Sequence, residues 1–433
     1  MNVAVVGLGR VGSVAAACLA EAGHSVLGID IAPDRVKSLQ KGKSGFYEPG
    51  LDSLLQETLS SGALSVKQLG KVDRLDSEIT MVAVGTPSLA SGGSDLSSVK
   101  SALNWIANKA SGQTLLVMKC TLPPGMGQVL AQQYRLSYVA NPEFLREGQA
   151  VNDWRKPDRI VIGGDRRQDI ELTRRLYNSI EAPFVITDIV TAEMIKYAAN
   201  AFLATKVSFI NEIANVCNLV GADIEDVVAG VALDPRIGSS FLRAGLGYGG
   251  SCFPKDIRAL EFVSTLNGYS CDLLRAVISV NNRQRLLPVQ VLQRELGSLN
   301  GREVAILGLA FKPGTDDIRE APAVDIIRLL VEGGARVRVY DPQALPGGSQ
   351  ALPTGTTIAK STNEAISSAE ALVLCTEWEE FSQLDWEKVR HTMRPPYLVI
   401  DGRNTLPEEI LTDLGFRYIG IGRKSHRHQE GVA

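Results

Sequence analysis

Gly7-Leu8-Gly9-Arg10-Val11-Gly12 constrains the fold of this chain more than any other stretch. The residues before it, 3–6, are wholly apolar and the length of a buried strand. Residues 13–22 are small and apolar and read as a helix, Gly23 ends it, and residues 25–30 read as a second strand closing on Asp30. Strand, glycine turn, helix and strand make a parallel βαβ unit of about thirty residues. A parallel pair needs a crossover and cover on both faces, which commits the chain to an α/β architecture. In such a turn the first glycine, Gly7, permits the tight bend. Gly9 lets a phosphate approach the backbone, and Gly12 lets the helix pack closely on the strand. The helix that follows Val11 and Gly12 then offers free N–H groups and a positive dipole end. A carboxylate at Asp30 can accept hydrogen bonds from ribose hydroxyls and would repel a 2′-phosphate, so the expected cofactor is NAD rather than NADP. Arg35 covers an adenine, softens that repulsion, or is an exposed helix charge.

The same alternation continues. Apolar strands are predicted at 79–84, 114–118, 137–139 and 159–162. After Asp188 the character changes. Residues 191–220 contain neither Gly nor Pro, and Ile195, Phe202, Phe209, Ile213 and Val216 mark one helical face. Helical patterns run on to about residue 296, interrupted by a glycine-rich stretch at 238–250. From Gly301 the α/β pattern returns, with strands at 304–307, 336–340, 371–375 and 397–400 and a helix at 324–332. The expected architecture is two Rossmann-like doubly wound parallel-sheet domains, 1–190 and 299–423, joined by a central long-helix domain, 191–298. A polar tail, 424–433, is expected to be disordered. A length of 433 residues agrees with several domains.

A net charge of −3 gives no reason to expect a nucleic-acid or membrane-surface partner. No apolar run approaches the ~18–20 residues of a membrane span. The chain opens directly into a strand, and the expected location is the cytoplasm. The six cysteines, Cys18, Cys120, Cys217, Cys252, Cys271 and Cys375, form no CxxC pair. Neither a disulfide framework nor a metal site is expected. With four histidines, two of them in the tail, a histidine base has few candidates.

The sharpest chemical signal is Gly245-Leu246-Gly247-Tyr248-Gly249-Gly250-Ser251-Cys252-Phe253-Pro254-Lys255-Asp256. Four glycines in six residues let the backbone wrap closely around something. A cysteine ending that loop, followed by Lys255 and Asp256, reads as an activated thiolate rather than a buried filler.

This stretch resembles the catalytic loop of the UDP-glucose/GDP-mannose dehydrogenase family. Further matching strings follow in order along nearly the whole chain: Glu48-Pro49-Gly50-Leu51, Gly85-Thr86-Pro87, Asn141-Pro142-Glu143-Phe144-Leu145-Arg146-Glu147-Gly148, Glu193-Met194-Ile195-Lys196-Tyr197, and Phe311-Lys312-Pro313-Gly314-Thr315-Asp316-Asp317-Ile318-Arg319-Glu320. The resemblance implies an N-terminal NAD domain, a central helix that forms a homodimer or higher homo-oligomer, and a C-terminal nucleotide-sugar domain. It also implies a four-electron oxidation of a sugar C6 alcohol to a carboxylate.

Carried onto this chain, Cys252 is the nucleophile that forms a thiohemiacetal and then a thioester. Lys196 and Asn200, four apart and so on one helix face, assist the first oxidation, stabilise oxyanion charge and contact substrate. Asp256 and Thr121 position a water, and Glu143 serves in hydrolysis. Gly85, Thr86, Thr121, Glu147, Lys255 and Arg319 are implied on the cofactor side. Phe144, Leu145, Phe241, Tyr248 and Gly249 are implied around the substrate, with Lys312 and Arg403 as cations on it and Arg236 donated from a partner subunit. Phe241 to Tyr248 resembles the UDP-glucose branch more than the GDP-mannose branch, which shares every catalytic residue. Cys120 stands where serine is common before Thr121, as an oxidation-sensitive group or as neutral packing. A one-step β-hydroxyacid dehydrogenase and a non-catalytic NAD-binding redox sensor are the rival readings.

Overall fold

The computed structural model describes residues 1–110, 114–344 and 351–424, so the expected tail lies outside the described residues beyond Lys424. The chain forms two compact units. One comprises Met1–Asn200 and Lys255–Ser270; the other comprises Ala201–Pro254 and Cys271–Ala433.

The first unit is built on an eight-stranded sheet. Its strands are β1 (Asn2–Val6), β2 (Ser25–Asp30), β3 (Leu64–Gln68), β4 (Ile79–Val82), β5 (Leu115–Met118), β6 (Ser137–Ala140), β7 (Ile160–Gly163) and β8 (Phe184–Thr187). They lie in the order β3-β2-β1-β4-β5-β6-β7-β8. Every residue of β4, β5 and β7 is buried, because helices cover both faces of a parallel sheet. On one face Val3 and Val5 pack with the helix Arg10–Glu21; on the other Ala4 and Val6 pack with the helix Ser97–Lys109. β3 and β8 escape the sequence reading. They are edge strands that bury alternate residues or almost none, so neither carries an apolar run. The sheet also departs from the all-parallel expectation at one place. β6 meets β7 antiparallel through Ala140 and Gly163 alone. Gly163 sits against the start of the helix Ile189–Val220, where a Cβ would lie 2.4 Å from that of Ala192.

The second unit holds a six-stranded parallel sheet. Its strands are β9 (Glu303–Leu307), β10 (Arg336–Tyr340), β11 (Thr357–Ile358), β12 (Ala371–Leu374), β13 (Leu398–Asp401) and β14 (Arg417–Gly420), ordered β11-β10-β9-β12-β13-β14. This order repeats the first six strands of the other sheet. The repeat extends to the turn after the first strand. Gly7 and Gly308 hold φ of 91° and 92°. Each amide donates at 2.8 Å to the carbonyl of a residue at the end of the neighbouring strand, Ile29 or Tyr340.

The helix Ile189–Val220 runs unbroken for 32 residues, as the absence of Gly and Pro requires. The boundary between the units falls within it, after Asn200. Phe202, Phe209 and Val216, seven residues apart, are 66 %, 55 % and 47 % exposed in the single chain. The expected helical stretch to residue 296 resolves into Ile224–Ala232, Phe253–Leu266, Asp272–Gln284 and Leu287–Leu296.

Candidate active site

At the carboxyl edge of the first sheet the glycine turn has the geometry its spacing predicts. A Cβ on Gly12 would lie 1.8 Å from the Gly7 carbonyl oxygen, and one on Gly7 would lie 2.7 Å from Val84. A Cβ on Gly9 would meet nothing within 4 Å, so the middle of the turn is open. Val11 is half-buried on the first helical turn. Asp30 is buried at the end of β2. Its Oδ2 accepts from the Leu8 amide at 2.7 Å and from Arg35 at 3.1 Å, and its Oδ1 accepts from the Ala32 amide at 2.8 Å. A carboxylate has about four acceptor sites, so Oδ1 keeps one for a ribose hydroxyl. The turn, the open backbone and this acceptor fit NAD. Arg35 is therefore a partner of Asp30. Arg10 stacks 4.8 Å over Phe46 and faces Glu147 at 3.7 Å. Gly85 is open to added bulk and Thr86 is buried beside it.

Two buried polar sets stand in the same unit. Lys196 and Asn200, one turn apart on the long helix, are both buried. Lys196 donates to Glu143 Oε1 at 3.2 Å, and Glu143 Oε2 accepts from the Leu145 amide at 2.5 Å. Glu143 lies in the irregular chain after β6. Phe144 lies between the Arg159 guanidinium, 3.7 Å from its ring centre, and the Lys196 ammonium, at 5.2 Å. Leu145 and Thr121 are half-buried. In the second set Asp256 accepts from Asn200 at 2.6 Å and from Lys255 at 2.5 Å, and Lys255 reaches the Thr86 hydroxyl at 3.5 Å. Buried ions are tolerated only when paired and hydrogen-bonded, and these four charges are arranged as two such pairs.

Two residues escaped the sequence reading as functional candidates. Lys119 follows β5 and is 6 % exposed. A lysine closing the apolar run 114–118 was the available signal. Burial pushes its ammonium down to about 7, with Lys196 adding to the effect and Glu143 opposing it. Glu193 accepts from the amides of Gly125 at 2.7 Å and Gly127 at 3.1 Å and from the Tyr138 hydroxyl at 3.2 Å. Burial outweighs those bonds and pushes its carboxyl up to about 7. It ties the chain after Thr121 to the helix that carries Lys196. Cys120 is buried and donates to the Val84 carbonyl at 3.1 Å. Burial pushes its thiol up to about 12, which favours packing over oxidation sensitivity.

The second unit holds the glycine loop. Gly245 donates to Asn211 at 2.8 Å, and Gln284 donates to the Gly245 carbonyl at 2.7 Å. Asn281 clamps Tyr248 by both amide and carbonyl, at 2.8 and 3.1 Å. Arg285 bonds the carbonyls of Tyr248 and Glu320 and the Asp325 carboxylate. A Cβ on Gly249 would lie 2.3 Å from the Glu320 oxygen and one on Gly250 2.8 Å from the Phe311 ring, so the loop packs on the Phe311–Glu320 stretch. Cys252 ends it, half-buried, 3.6 Å from the Ser251 hydroxyl and just before the helix Phe253–Leu266. Lys312 lies 5.8 Å from the Phe311 ring centre, and Arg319 forks onto Asp317. Arg403 donates to the Cys375 carbonyl at 2.7 Å, to that of Phe311 at 3.3 Å, and faces Glu377 at 3.2 Å. Phe241 has φ of 63° and stacks 6.2 Å from Phe253. Arg236 projects outward, 87 % exposed, with its fork on Asp234.

Three family models match this chain. They describe the NAD binding domain (residues 1–181), the central domain (190–283) and the UDP binding domain (305–408) of the UDP-glucose/GDP-mannose dehydrogenase family. A UDP-glucose 6-dehydrogenase of Pseudomonas aeruginosa is 42 % identical across 100 % of both chains. The UDP-glucose 6-dehydrogenase TuaD of Bacillus subtilis is 41 % identical, covering 99 % of this chain and 95 % of its own. The structure of a UDP-glucose dehydrogenase from Pyrobaculum islandicum superposes with a TM-score of 0.90 at 37 % identity, covering 98 % of each chain.

Proposed function

Because this chain belongs to the UDP-glucose/GDP-mannose dehydrogenase family, we propose that it oxidises the C6 alcohol of UDP-glucose to the carboxylate of UDP-glucuronate through a thioester on Cys252. The family assignment makes the chain an NAD-dependent oxidoreductase acting on a nucleotide sugar. The observation that carries the rest is the set of buried pairs Lys196–Glu143 and Asn200–Asp256, two cation- or amide-bearing side chains on one helix face, each held by a carboxylate.

Gly7, Gly9, Val11, Gly12, Asp30 and Arg35 with Gly85, Thr86, Glu147, Lys255 and Arg319 would hold NAD, which would supply the hydride acceptor twice, one molecule for the C6 alcohol, which becomes the aldehyde, and a second for the thiohemiacetal. Lys196 and Asn200 present N–H donors to the alcohol oxygen and to the oxyanion that replaces it. Asp256 with Thr121 positions the water that carries off the hydroxyl proton. The Cys252 thiolate adds to the aldehyde carbon, whose oxygen takes the negative charge. That tetrahedral carbon releases a hydride and becomes a thioester, which a planar free aldehyde cannot do. Glu143 takes a proton from water as it adds to the thioester; the C–S bond breaks and the thiolate returns. Lys312 and Arg403 meet the nucleotide-sugar phosphates and sugar, Phe144, Leu145, Phe241, Tyr248 and Gly249 wall it, and Arg236 serves a neighbouring copy. The enzyme works in the cytoplasm as a homodimer or larger homo-oligomer.

UDP-glucose is preferred to GDP-mannose because relatives above 40 % identity over the full length carry the UDP-glucose name. The test is the NADH formed from limiting UDP-glucose with excess NAD, run beside GDP-mannose. Two NADH per UDP-glucose with GDP-mannose inert is the expected result. One NADH would defeat the thioester route, and none would leave a protein that binds NAD without this reaction.

A further inference from the structure

Lys119 sits at the carboxyl end of β5, the sheet edge that carries the nucleotide turn and Glu143. Among the described residues no oxygen accepts a hydrogen bond from its ammonium, although the side chain is 6 % exposed. Its nitrogen lies 5.1 Å from the ring centre of Trp154 and 5.3 Å from that of Tyr177, faces that attract a cation without neutralising it. The charged groups that act on it are Glu143 and Lys196, themselves joined at 3.2 Å. The other ionisable groups around it are committed. Asp153, on the helix of Trp154, holds Arg146 at 2.6 Å. The Tyr177 phenol donates to Asn141, and burial keeps it and the Cys120 thiol neutral.

We propose that Lys119 is a positioning residue for Glu143: it buries a second, unpaired ammonium near the Lys196–Glu143 pair, and the charge on Lys119 decides whether Glu143 is held as a counter-ion or is free to take a proton from water. The proposal rests on Glu143 acting in thioester hydrolysis, as read above. Burial brings the Lys119 ammonium down to about 7, so its charge changes within the working range. On the acid side the Lys196–Glu143 pair has a second positive charge buried beside it on Lys119, and the field of that charge holds Glu143 as a carboxylate paired with Lys196. On the alkaline side Lys119 is a neutral amine, Lys196 alone remains, and Glu143 can meet a water proton. No atoms are transferred to Lys119 beyond its own proton, exchanged with solvent.

The test has two arms. In the first, ligand-free protein carrying ¹³Cε-labelled lysine is titrated by NMR, with the Lys119 signal identified by its loss in K119R. A midpoint near 7 is expected. It should fall in E143Q, which removes the opposing carboxylate, and rise in K196M, which removes the like charge. A midpoint near that of an ordinary lysine, or one that neither variant moves, overturns the proposal. In the second arm, quenched-flow measurement follows acid formation from UDP-glucose between about pH 6 and pH 8. Wild type should accelerate several-fold, K119R should stay slow and flat, and K119M fast and flat, with KM for UDP-glucose unchanged. Variants that keep the wild-type profile make Lys119 a packing residue and defeat the idea. A wild type silent toward both UDP-glucose and GDP-mannose would overturn the substrate reading, and the titration arm then decides the cluster alone.

Discussion

Cys252 and Gly12 are the residues at which the proposed function is most directly tested. Cys252→Ser leaves the loop and its clamps in place but removes the thiolate. The expected result is hydride transfer without acid, read as loss of the carboxylate product by chromatography; normal acid formation would refute the thioester. Gly12→Ala pushes a Cβ into a backbone oxygen 1.8 Å away, which no side-chain rotation relieves. Its expected effect is a loss of about 1–3 kcal/mol in stability together with weaker NAD binding, measured by urea unfolding and by titration calorimetry. Sequence spacing singled out Gly7, Gly9, Gly12, Asp30 and Cys252 as candidates, because each belongs to a motif whose chemistry is local. It could not reveal Lys119 or the way Glu193 is used. Those depend on residues far apart in the chain being buried together, and a single lysine or glutamate reads as a surface charge until its surroundings are seen.

At the scale of elements, the long helix carries two separate messages. Its first turns hold Glu193, Lys196 and Asn200 toward buried partners; its later turns expose Phe202, Phe209 and Val216. Under the proposed self-association, Phe209→Arg should shift sedimentation from dimer or larger toward monomer, and an unchanged sedimentation coefficient would place the interface elsewhere. Glu193 fastens the loop of Gly125 and Gly127 to this helix. Its carboxyl is raised to about 7 in the folded chain from 4.5, so folding favours the protonated form. Stability therefore declines as pH rises from about 4.5 to 7, by up to roughly 1.4 kcal/mol per unit before solvent screening. Glu193→Gln should flatten that slope in urea melts taken across the interval, and an equal slope in both proteins would show that Glu193 does not cause it. The helix was legible because thirty residues without Gly or Pro allow little else. β3, β8, β11 and β14 were not, since short edge strands with polar or mixed residues leave no run to find.

The whole molecule contains one strand order twice, the six-stranded sheet repeating the first six strands of the larger one. The returning strand–helix alternation marked two domains of one class in the sequence, but the shared strand order was not legible, because a fold repeat needs only equivalent burial and not equivalent residues. Each unit has its own cores, so each should respond to its own ligand. Hydrogen exchange is expected to slow within 1–200 on adding NAD and within 271–424 on adding UDP; at 100 times Kd, either ligand adds about 2.7 kcal/mol to the unit it binds. Protection of the second unit by NAD alone, beyond the surroundings of Arg319, would contradict this division. The duplicated turn also shows what diverged. Asp341, the counterpart of Asp30, accepts from the amides of Leu309, Ala310, Gln343 and Ala344 and from the Trp378 indole, which leaves it no idle lone pair. Asp30 both pins the Leu8 amide and keeps an acceptor in reserve. For anyone redesigning cofactor preference, the two jobs must be separated. Asp30→Ala would unfasten the turn while removing the charge, whereas Asp30→Asn keeps an acceptor for Leu8 and removes the repulsion toward a 2′-phosphate, at the cost of the Ala32 hydrogen bond and the Arg35 ion pair. A second dinucleotide site grafted onto the other sheet would first have to take a hydrogen bond away from Asp341.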